Sequence, residues 1–139
     1  MSKYAMFFYT RCTDFGREDE FNSWYSHVHI PELRQAAGLT SARRFVCSEP
    51  KCRAKYLAVY EFETDNLQES KRSFFQIVHR CFTNGRHIDC IESVVAADTP
   101  GVAVYRELAP DDVRCLPCPD YPKGVPEALK KLADPGWAP

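Results

Sequence analysis

The chain has 139 residues, a formal net charge of −1 and 45% hydrophobic residues. This length and composition are typical of one globular domain and exclude a disordered chain. Eighteen basic against nineteen acidic residues exclude a general attraction to nucleic acid or to an anionic membrane. No window approaches the roughly 18 consecutive apolar residues of a transmembrane helix, so no membrane span is predicted.

The N-terminal half begins with an apolar segment, Tyr4–Thr10, which is typical of a buried strand. A helix is predicted over Glu18–Gly38, because three acidic residues favour its first turn and Gly38 is a suitable C-terminal cap. Pro31 predicts a kink or a restart near Ile30. The apolar face of this helix has the 3.6-residue period and consists of Phe21, Trp24, Tyr25 and Val28.

The second half of the predicted fold contains a second amphipathic helix. It is predicted over Leu67–Thr83, with Thr64 or Asp65 as its cap and Asn84-Gly85 at its end. The segment Ile88–Val95 is ambiguous between helix and strand. The remaining predicted strands are Thr40–Cys47, Tyr56–Glu63 and Val102–Leu108.

This order of elements predicts an α+β, ferredoxin-like βαββαβ fold with an antiparallel sheet and both helices on one face. The aromatic strands would leave the other face of the sheet apolar, so a partner sheet and a homodimer are expected. Alternatively, the Pro-rich C-terminal extension covers that face in a monomer. Seven of the ten prolines lie between Pro110 and Pro139, so we divide the chain into a folded domain, residues 1–109, and an extension, residues 110–139.

The seven cysteines and the lack of a signal-peptide pattern predict free thiols in a protein of the reducing cytoplasm. Cys115 and Cys118 have the C-x-x-C spacing of redox and zinc sites, but they lie in the Pro-rich extension rather than at the start of a helix. Cys47 and Cys52 are the alternative source of two further zinc ligands. We predict no metal and no cofactor.

The strongest candidate for a functional residue is His29. In a continuous helix Tyr25 and His29 lie on the same side, since they are four residues apart. An imidazole exchanges a proton near pH 7, and a neighbouring tyrosine hydroxyl donates to an oxyanion, so the pair suits acid–base chemistry. His27 points about 160° away from His29, which excludes a shared metal in a regular helix. The alternative role of His29 is to cap the kinked helix.

The run Phe21…Trp24-Tyr25…His29-Ile30-Pro31-Glu32 resembles the F-x-x-W/Y-Y-x-x-x-H-x-P-E motif of the EthD-like members of the dimeric α+β barrel superfamily. Later segments at 42–45, 56–61 and 104–108 are similar to strands of that superfamily, so the resemblance covers about residues 4–108. It implies a dimer with a cavity between sheet and helices. The superfamily includes cofactor-free monooxygenases, polyketide cyclases, lactone isomerases, decarboxylases and haem-processing enzymes.

A cavity of this kind would suit a small apolar, aromatic or polyketide-like molecule. His29 and Tyr25 are then the predicted catalytic residues of a cofactor-independent cyclase, isomerase, dehydratase or decarboxylase. A monooxygenase or haem-processing protein, and a non-catalytic ligand-binding protein, are the alternatives. The predicted substrate-binding residues are Trp24, Arg44, His87 and Arg106, with the arginines placed to hold a carboxylate or enolate oxygen.

Overall fold

The computed structural model describes residues 1–94 and 102–112 of the chain. Residues Met1–Leu108 form one compact unit. The extension predicted for residues 110–139, with Cys115 and Cys118, lies outside the described residues except at 110–112. We number the elements along the chain as β1 Ser2–Cys12, α1 Glu18–Trp24, α2 Ile30–Leu33, β2 Leu39–Val46, β3 Tyr56–Thr64, α3 Leu67–Thr83, β4 Ile91–Ser93 and β5 Val104–Arg106.

The strands form one antiparallel sheet in the order β2-β3-β1-β4, and β5 also pairs with β1. The central strands are β1 and β3, with Tyr4 opposite Phe62 and Thr10 opposite Tyr56. Because β3 occupies one edge of β1, the other edge takes β4 near Cys12 and β5 near Tyr4. Two short strands thus share the position of the fourth strand, and the predicted ferredoxin-like βαββαβ class is confirmed.

The helix α3 begins and ends where the periodicity predicts. Its cap is Asn66, whose side-chain oxygen accepts a hydrogen bond from the amide of Glu69 at 3.1 Å. The predicted caps Thr64 and Asp65 are wrong, because the Thr64 hydroxyl oxygen accepts from the Asn66 amide, one step earlier in the turn. The ambiguous segment 88–95 contains β4. Among the described residues no helix combines the length and the apolarity that a membrane crossing requires.

The single helix predicted over Glu18–Gly38 is instead α1, a π-helical turn over Tyr25–His29, and α2. Pro31 lies in the first turn of α2, has no amide hydrogen and would clash with the preceding turn of a regular helix. The backbone widens before it, and the amide of Ile30 donates to the carbonyl of Tyr25, five residues earlier. The predicted restart near Ile30 is therefore confirmed, and such a turn is frequent at functional sites.

The core lies between the helices and the inner face of the sheet. Phe74 of α3 is 1% exposed and contacts the rings of Phe8, Tyr60 and Phe62 at centroid distances of 5.7, 5.0 and 5.9 Å. Edge-to-face and tilted contacts of this kind add to the stabilisation from burial. The high aromatic content of the sequence is therefore concentrated where the helices meet β1 and β3.

The opposite, outer face of the sheet is also apolar. Val59 lies opposite Phe7 in the register, and Phe7 contacts Tyr105 of β5 edge-on at 5.5 Å. Three aromatic side chains of this face are half exposed, namely Tyr9 (48%), Phe45 (46%) and Tyr105 (56%). The outer face thus has the apolar character from which the homodimer is predicted.

Gly38 turns the chain from α2 into β2 with a φ of +79°, in the left-handed region that favours glycine. A Cβ at this position would lie 2.9 Å from the Ser70 hydroxyl and 3.2 Å from the Glu63 carbonyl. Gly85 after α3 has a φ of +67°, but a Cβ there would meet nothing within 4 Å. A substitution at Gly85 therefore measures the free-energy cost of the left-handed backbone conformation without a steric clash.

We expect Gly38→Ala to lower the free energy of unfolding by about 2–4 kcal/mol, because backbone strain and a steric clash act together. Gly85→Ala is expected to cost about 1 kcal/mol, because it carries the backbone strain alone. Urea denaturation of both variants measures the difference. Equal losses would show that the close approach of Gly38 to α3 and β3 contributes nothing.

Two of the cysteines depart from the predicted all-thiol form. Cys47 and Cys52 form a disulfide across the β2–β3 loop, where their Cα atoms lie 6.3 Å apart, within the usual span of such bonds. The alternative zinc site is therefore wrong for these two residues, because their sulfurs are bonded to each other. Within residues 1–94 and 102–112 no cluster of metal-ligating side chains occurs. Cys12, Cys81 and Cys90 are buried free thiols.

Candidate active site

A cavity of about 330 Å³ lies between the inner face of the sheet and the helices. Its wall is mainly aromatic and aliphatic, and its described lining contains no Lys, Arg, Asp or Glu. This size and lining are typical of sites for small organic molecules. The lining residues with a polar side-chain atom are Thr10, Trp24, Tyr25, His29, Tyr60, His87 and Ser93.

The π-helical turn places Tyr25 and His29 on one side of this cavity, beside Trp24 at the end of α1. His29 stacks on the indole of Trp24, with ring centroids 4.7 Å apart and an angle of 16° between the planes. The Tyr25 ring meets the imidazole edge-on at 5.1 Å, so the shared face predicted for Tyr25 and His29 is confirmed. His87 approaches Trp24 edge-on at 5.7 Å from the segment after α3.

Burial lowers the pKa of His29 to about 4, and a second contribution comes from the nearby His87, while the Glu32 carboxylate opposes the shift. The imidazole is therefore neutral at pH 7 and able to accept a proton. Its Nδ1 atom faces the Cys81 thiol at 3.9 Å. Among the described residues no side chain or carbonyl hydrogen-bonds to Nε2, so that nitrogen is available to a bound molecule.

The lowered pKa of His29 predicts an acid-sensitive fold. The unfolded chain binds this proton near pH 6.5 and the folded chain near pH 4, so protonation favours unfolding as the pH falls through this window. We expect the free energy of unfolding of wild type to fall by about 3 kcal/mol more than that of His29→Gln between pH 7 and pH 4, measured by urea denaturation at both values. A parallel loss in the two proteins would place His29 in a solvated environment.

Tyr25 presents a neutral hydroxyl inside the cavity wall. It is 3% exposed, and the Tyr60 hydroxyl donates to its oxygen at 3.3 Å. Burial raises the pKa of Tyr25, although the Tyr60 hydrogen bond and the Arg44 charge act in the opposite direction. Since its oxygen already accepts from Tyr60, Tyr25 is left to donate its own proton in a hydrogen bond.

Arg44 lies behind Tyr25 rather than in the cavity wall. Its guanidinium carbon is 4.4 Å from the centre of the Tyr25 ring. Its nitrogens donate to the Asn22 side-chain oxygen at 2.8 Å and to the Ser26 hydroxyl at 3.0 Å. The structure therefore does not bring Arg44 to the cavity, and its contacts fix the Tyr25 ring through a cation–π interaction.

His87 and Trp24 are held together by the turn that ends α3. The indole nitrogen of Trp24 donates to the carbonyl of Arg86 at 2.6 Å. This bond positions the next residue, His87, whose ring stacks on Phe82 at 3.8 Å. Burial lowers the pKa of His87 as well, so both imidazoles at the cavity are neutral at pH 7.

Comparison with protein-family profiles and with curated sequences gives no match. Three solved structures share the fold. An EthD-family protein from Bacillus halodurans C-125 is 14% identical with a TM-score of 0.52, over 78% of this chain and 100% of that chain. A candidate monooxygenase from Shewanella loihica PV-4 is 13% identical with a TM-score of 0.50, over 78% and 98%. HapK from Hahella chejuensis is 13% identical with a TM-score of 0.51, over 76% and 92%.

The chain has the same α+β fold with an antiparallel sheet as these structures, one of which is an EthD-family protein. The resemblance predicted from the Phe21–Glu32 motif is thereby confirmed at the level of the fold. Sequence identities of 13–14% establish a shared fold but not a shared reaction. The chemistry therefore depends on the residues of the cavity.

Three residues behind His29 were not predicted as part of the site. The Cys81 thiol donates to the Glu32 carboxylate at 3.1 Å, and Arg86 forms an ion pair with the same carboxylate. Burial, followed by the Glu32 hydrogen bond and charge, raises the pKa of Cys81 to about 11. Cys81 therefore remains a thiol at pH 7. The signal for Glu32 was its position in the His29-Ile30-Pro31-Glu32 run, whereas Cys81 and Arg86 carry no distinctive local pattern.

Thr10 and Tyr60 line the cavity and were also not predicted as site residues. Both belong to the inward-facing alternation of their strands, so only the sheet register places them beside the helices. Arg106 was predicted to bind substrate, but it lies on β5 opposite Tyr4 and is exposed. It does not belong to the cavity lining.

Proposed function

We propose that this protein is a small-molecule enzyme that uses His29 and Tyr25 for proton transfer without a cofactor. The observation that carries the proposal is a neutral imidazole, stacked on Trp24, beside a buried tyrosine hydroxyl at the wall of an apolar cavity. The reaction class is a cyclisation, isomerisation or dehydration of an aromatic or polyketide-like compound, since these steps share an enolate. A decarboxylation would need a carboxylate substrate, for which the described lining offers no counter-charge.

In this scheme His29 Nε2 removes a proton from the carbon next to a carbonyl group. The electron pair of the broken C–H bond moves onto the carbonyl oxygen, which accepts a hydrogen bond from the Tyr25 hydroxyl. The imidazolium that forms faces the indole of Trp24, and the Glu32 carboxylate, whose charge opposes the lowering of the His29 pKa, stabilises it.

In an isomerisation the proton returns to a different carbon atom. In a cyclisation the enolate carbon attacks a second carbonyl group, whose oxygen takes the proton. In a dehydration the enolate re-forms the carbonyl and expels the β-hydroxyl group, which takes the proton from His29 and leaves as water.

We further propose that the protein acts as a homodimer through the outer face of the sheet. Half-exposed aromatic side chains on three different strands support an interface between two copies. A location in the cytoplasm stays a prediction, and the Cys47–Cys52 disulfide differs from the thiol form expected there.

Deuterium exchange tests the proposal although the natural substrate is unidentified. We expect the protein to accelerate exchange of the hydrogens next to the carbonyl of 2-tetralone in D2O, followed by NMR at pH 7. Acceleration that Tyr25→Phe reduces would support the enolate scheme. Oxygen consumption with 2-naphthol would instead favour a monooxygenase, as in the description of the Shewanella loihica protein. Binding of these compounds without either reaction would identify a ligand-binding protein.

A further inference from the structure

Thr10 is a polar residue at a position that the core would fill with an apolar one. It is 2% exposed and follows Met6 and Phe8 on the inward face of β1. Its Oγ1 atom is fully buried and has no hydrogen-bond partner among the described residues. Buried hydroxyls almost always have a partner, and an unpaired one destabilises the fold.

The surroundings of Thr10 offer no structural reason for the hydroxyl. Its strand neighbours are Tyr56 on one side and Ser93 on the other. A valine would fill the same space without an unpaired oxygen. Since the side chain forms part of the cavity wall, a molecule bound in the cavity is the natural partner of its hydroxyl.

His87, on another part of the cavity wall, also has a buried polar atom without a hydrogen-bond partner in the described part of the chain. Its Nδ1 atom is buried and has no hydrogen-bond partner among the described residues. The stack on Phe82 and the edge contact with Trp24 fix the orientation of the ring. Two residues that carry an unpaired polar atom, one on β1 and one on the segment after α3, thus line a single cavity.

The distribution of charges around the cavity argues against an anionic ligand. The described lining contains no charged side chain. Arg44 is occupied by Asn22, Ser26 and the Tyr25 ring, and Arg86 is paired with Glu32. An ionised carboxylate in this cavity would lose its hydration without gaining a counter-charge, which is strongly unfavourable.

We propose that Thr10 and His87 hold the oxygen substituents of an uncharged aromatic molecule, a phenol or an aryl ketone. The proposal rests on the proposed function only in taking this cavity as the ligand site. Thr10 both donates and accepts hydrogen bonds, so it suits a hydroxyl as well as a carbonyl oxygen. His87 offers one donor or one acceptor, according to its tautomer.

We call this pair of hydrogen-bonding residues, Thr10 and His87, the anchor. Three matched probes test it by calorimetry at pH 7: 2-naphthol, its methyl analogue 2-methylnaphthalene and the anion 2-naphthoate. We expect wild type to bind 2-naphthol at least about 10-fold more tightly than 2-naphthoate. Thr10→Val should lower the affinity for 2-naphthol about 5–10-fold, because it removes one hydrogen bond. The affinity for 2-methylnaphthalene should stay within about twofold, because valine keeps the shape of the side chain. Thr40→Val, a matched change on β2 outside the cavity, should alter neither affinity.

His87→Phe is the second variant, since it keeps a ring on Phe82 and removes Nδ1. It should also lower the affinity for 2-naphthol by about 5–10-fold without a comparable loss for 2-methylnaphthalene. Equal weakening of 2-naphthol and 2-methylnaphthalene in both variants would overturn the anchor, because it would show a role in shape alone. Tight binding of 2-naphthoate would overturn the uncharged class.

The outcomes separate this proposal from the catalytic one. Selective loss of 2-naphthol binding without deuterium exchange of 2-tetralone would support the anchor and contradict the catalysis. Deuterium exchange of 2-tetralone by wild type, without a selective loss of 2-naphthol binding in the variants, would contradict the anchor but not the catalysis. Failure of all three probes to bind wild type would overturn the anchor together with the assignment of the cavity as the ligand site.

Discussion

The His29→Gln variant is expected to lose about 10²–10⁴-fold of the deuterium-exchange rate with 2-tetralone, the usual contribution of a general base. Glutamine keeps a polar side chain of similar reach but cannot accept a proton near neutral pH. In wild type the rate should rise with pH through about 4, the pKa of His29 in the free protein, and stay level from pH 6 to 8. NMR of the exchange over this pH range measures both effects.

The matched control for this experiment is His27→Gln. His27 lies two residues away in the same π-helical turn, but its ring is exposed and its Nδ1 is 3.1 Å from the carbonyl of Ser23. Its replacement should leave the exchange rate within about twofold. A His29→Gln protein with a native circular dichroism spectrum and an unchanged rate would remove His29 from the mechanism and favour its role in the helix alone.

The parts of this fold that follow from local patterns were predicted from the sequence. The bounds of α3 follow from its apolar period and from the Asn84-Gly85 stop, and the structure reproduces them. The strands β1 and β3 follow from runs of aromatic and branched residues. The proximity of Tyr25 and His29 also needed only the helical repeat, although the turn between them is wider than an α-helix.

Features that depend on register or on the path of a loop were not predictable in the same way. Arg44 is on the inner side of β2 as alternation requires, yet the alignment of β2 against α1 places it behind Tyr25 instead of in the cavity. Thr10 becomes notable only when its neighbours leave its hydroxyl unpaired. The Cys47–Cys52 bond depends on how the β2–β3 loop folds back, which no periodicity describes.

Phe45→Glu is expected to convert a dimer into a monomer. Phe45 lies opposite Leu57 on the outer face and is 46% exposed, so the change should not disturb the core of the subunit. In a sheet-to-sheet interface, however, it would bury a carboxylate whose neighbour Arg43 is already paired with Glu61, and such a charge costs several kcal/mol. We expect the dimer dissociation constant to rise by about 100-fold or more, measured by analytical ultracentrifugation at micromolar concentrations.

Phe15→Glu separates a specific interface from a general loss of hydrophobicity. Phe15 is 86% exposed in the short turn before α1, away from the sheet, so its replacement changes the net charge equally and should leave the dimer intact. A monomeric wild type would contradict the interface directly and favour a cover over the outer face from within the chain. If both variants dissociate, the association is driven by exposed phenylalanines in general, because an interface on the sheet would respond to Phe45 alone.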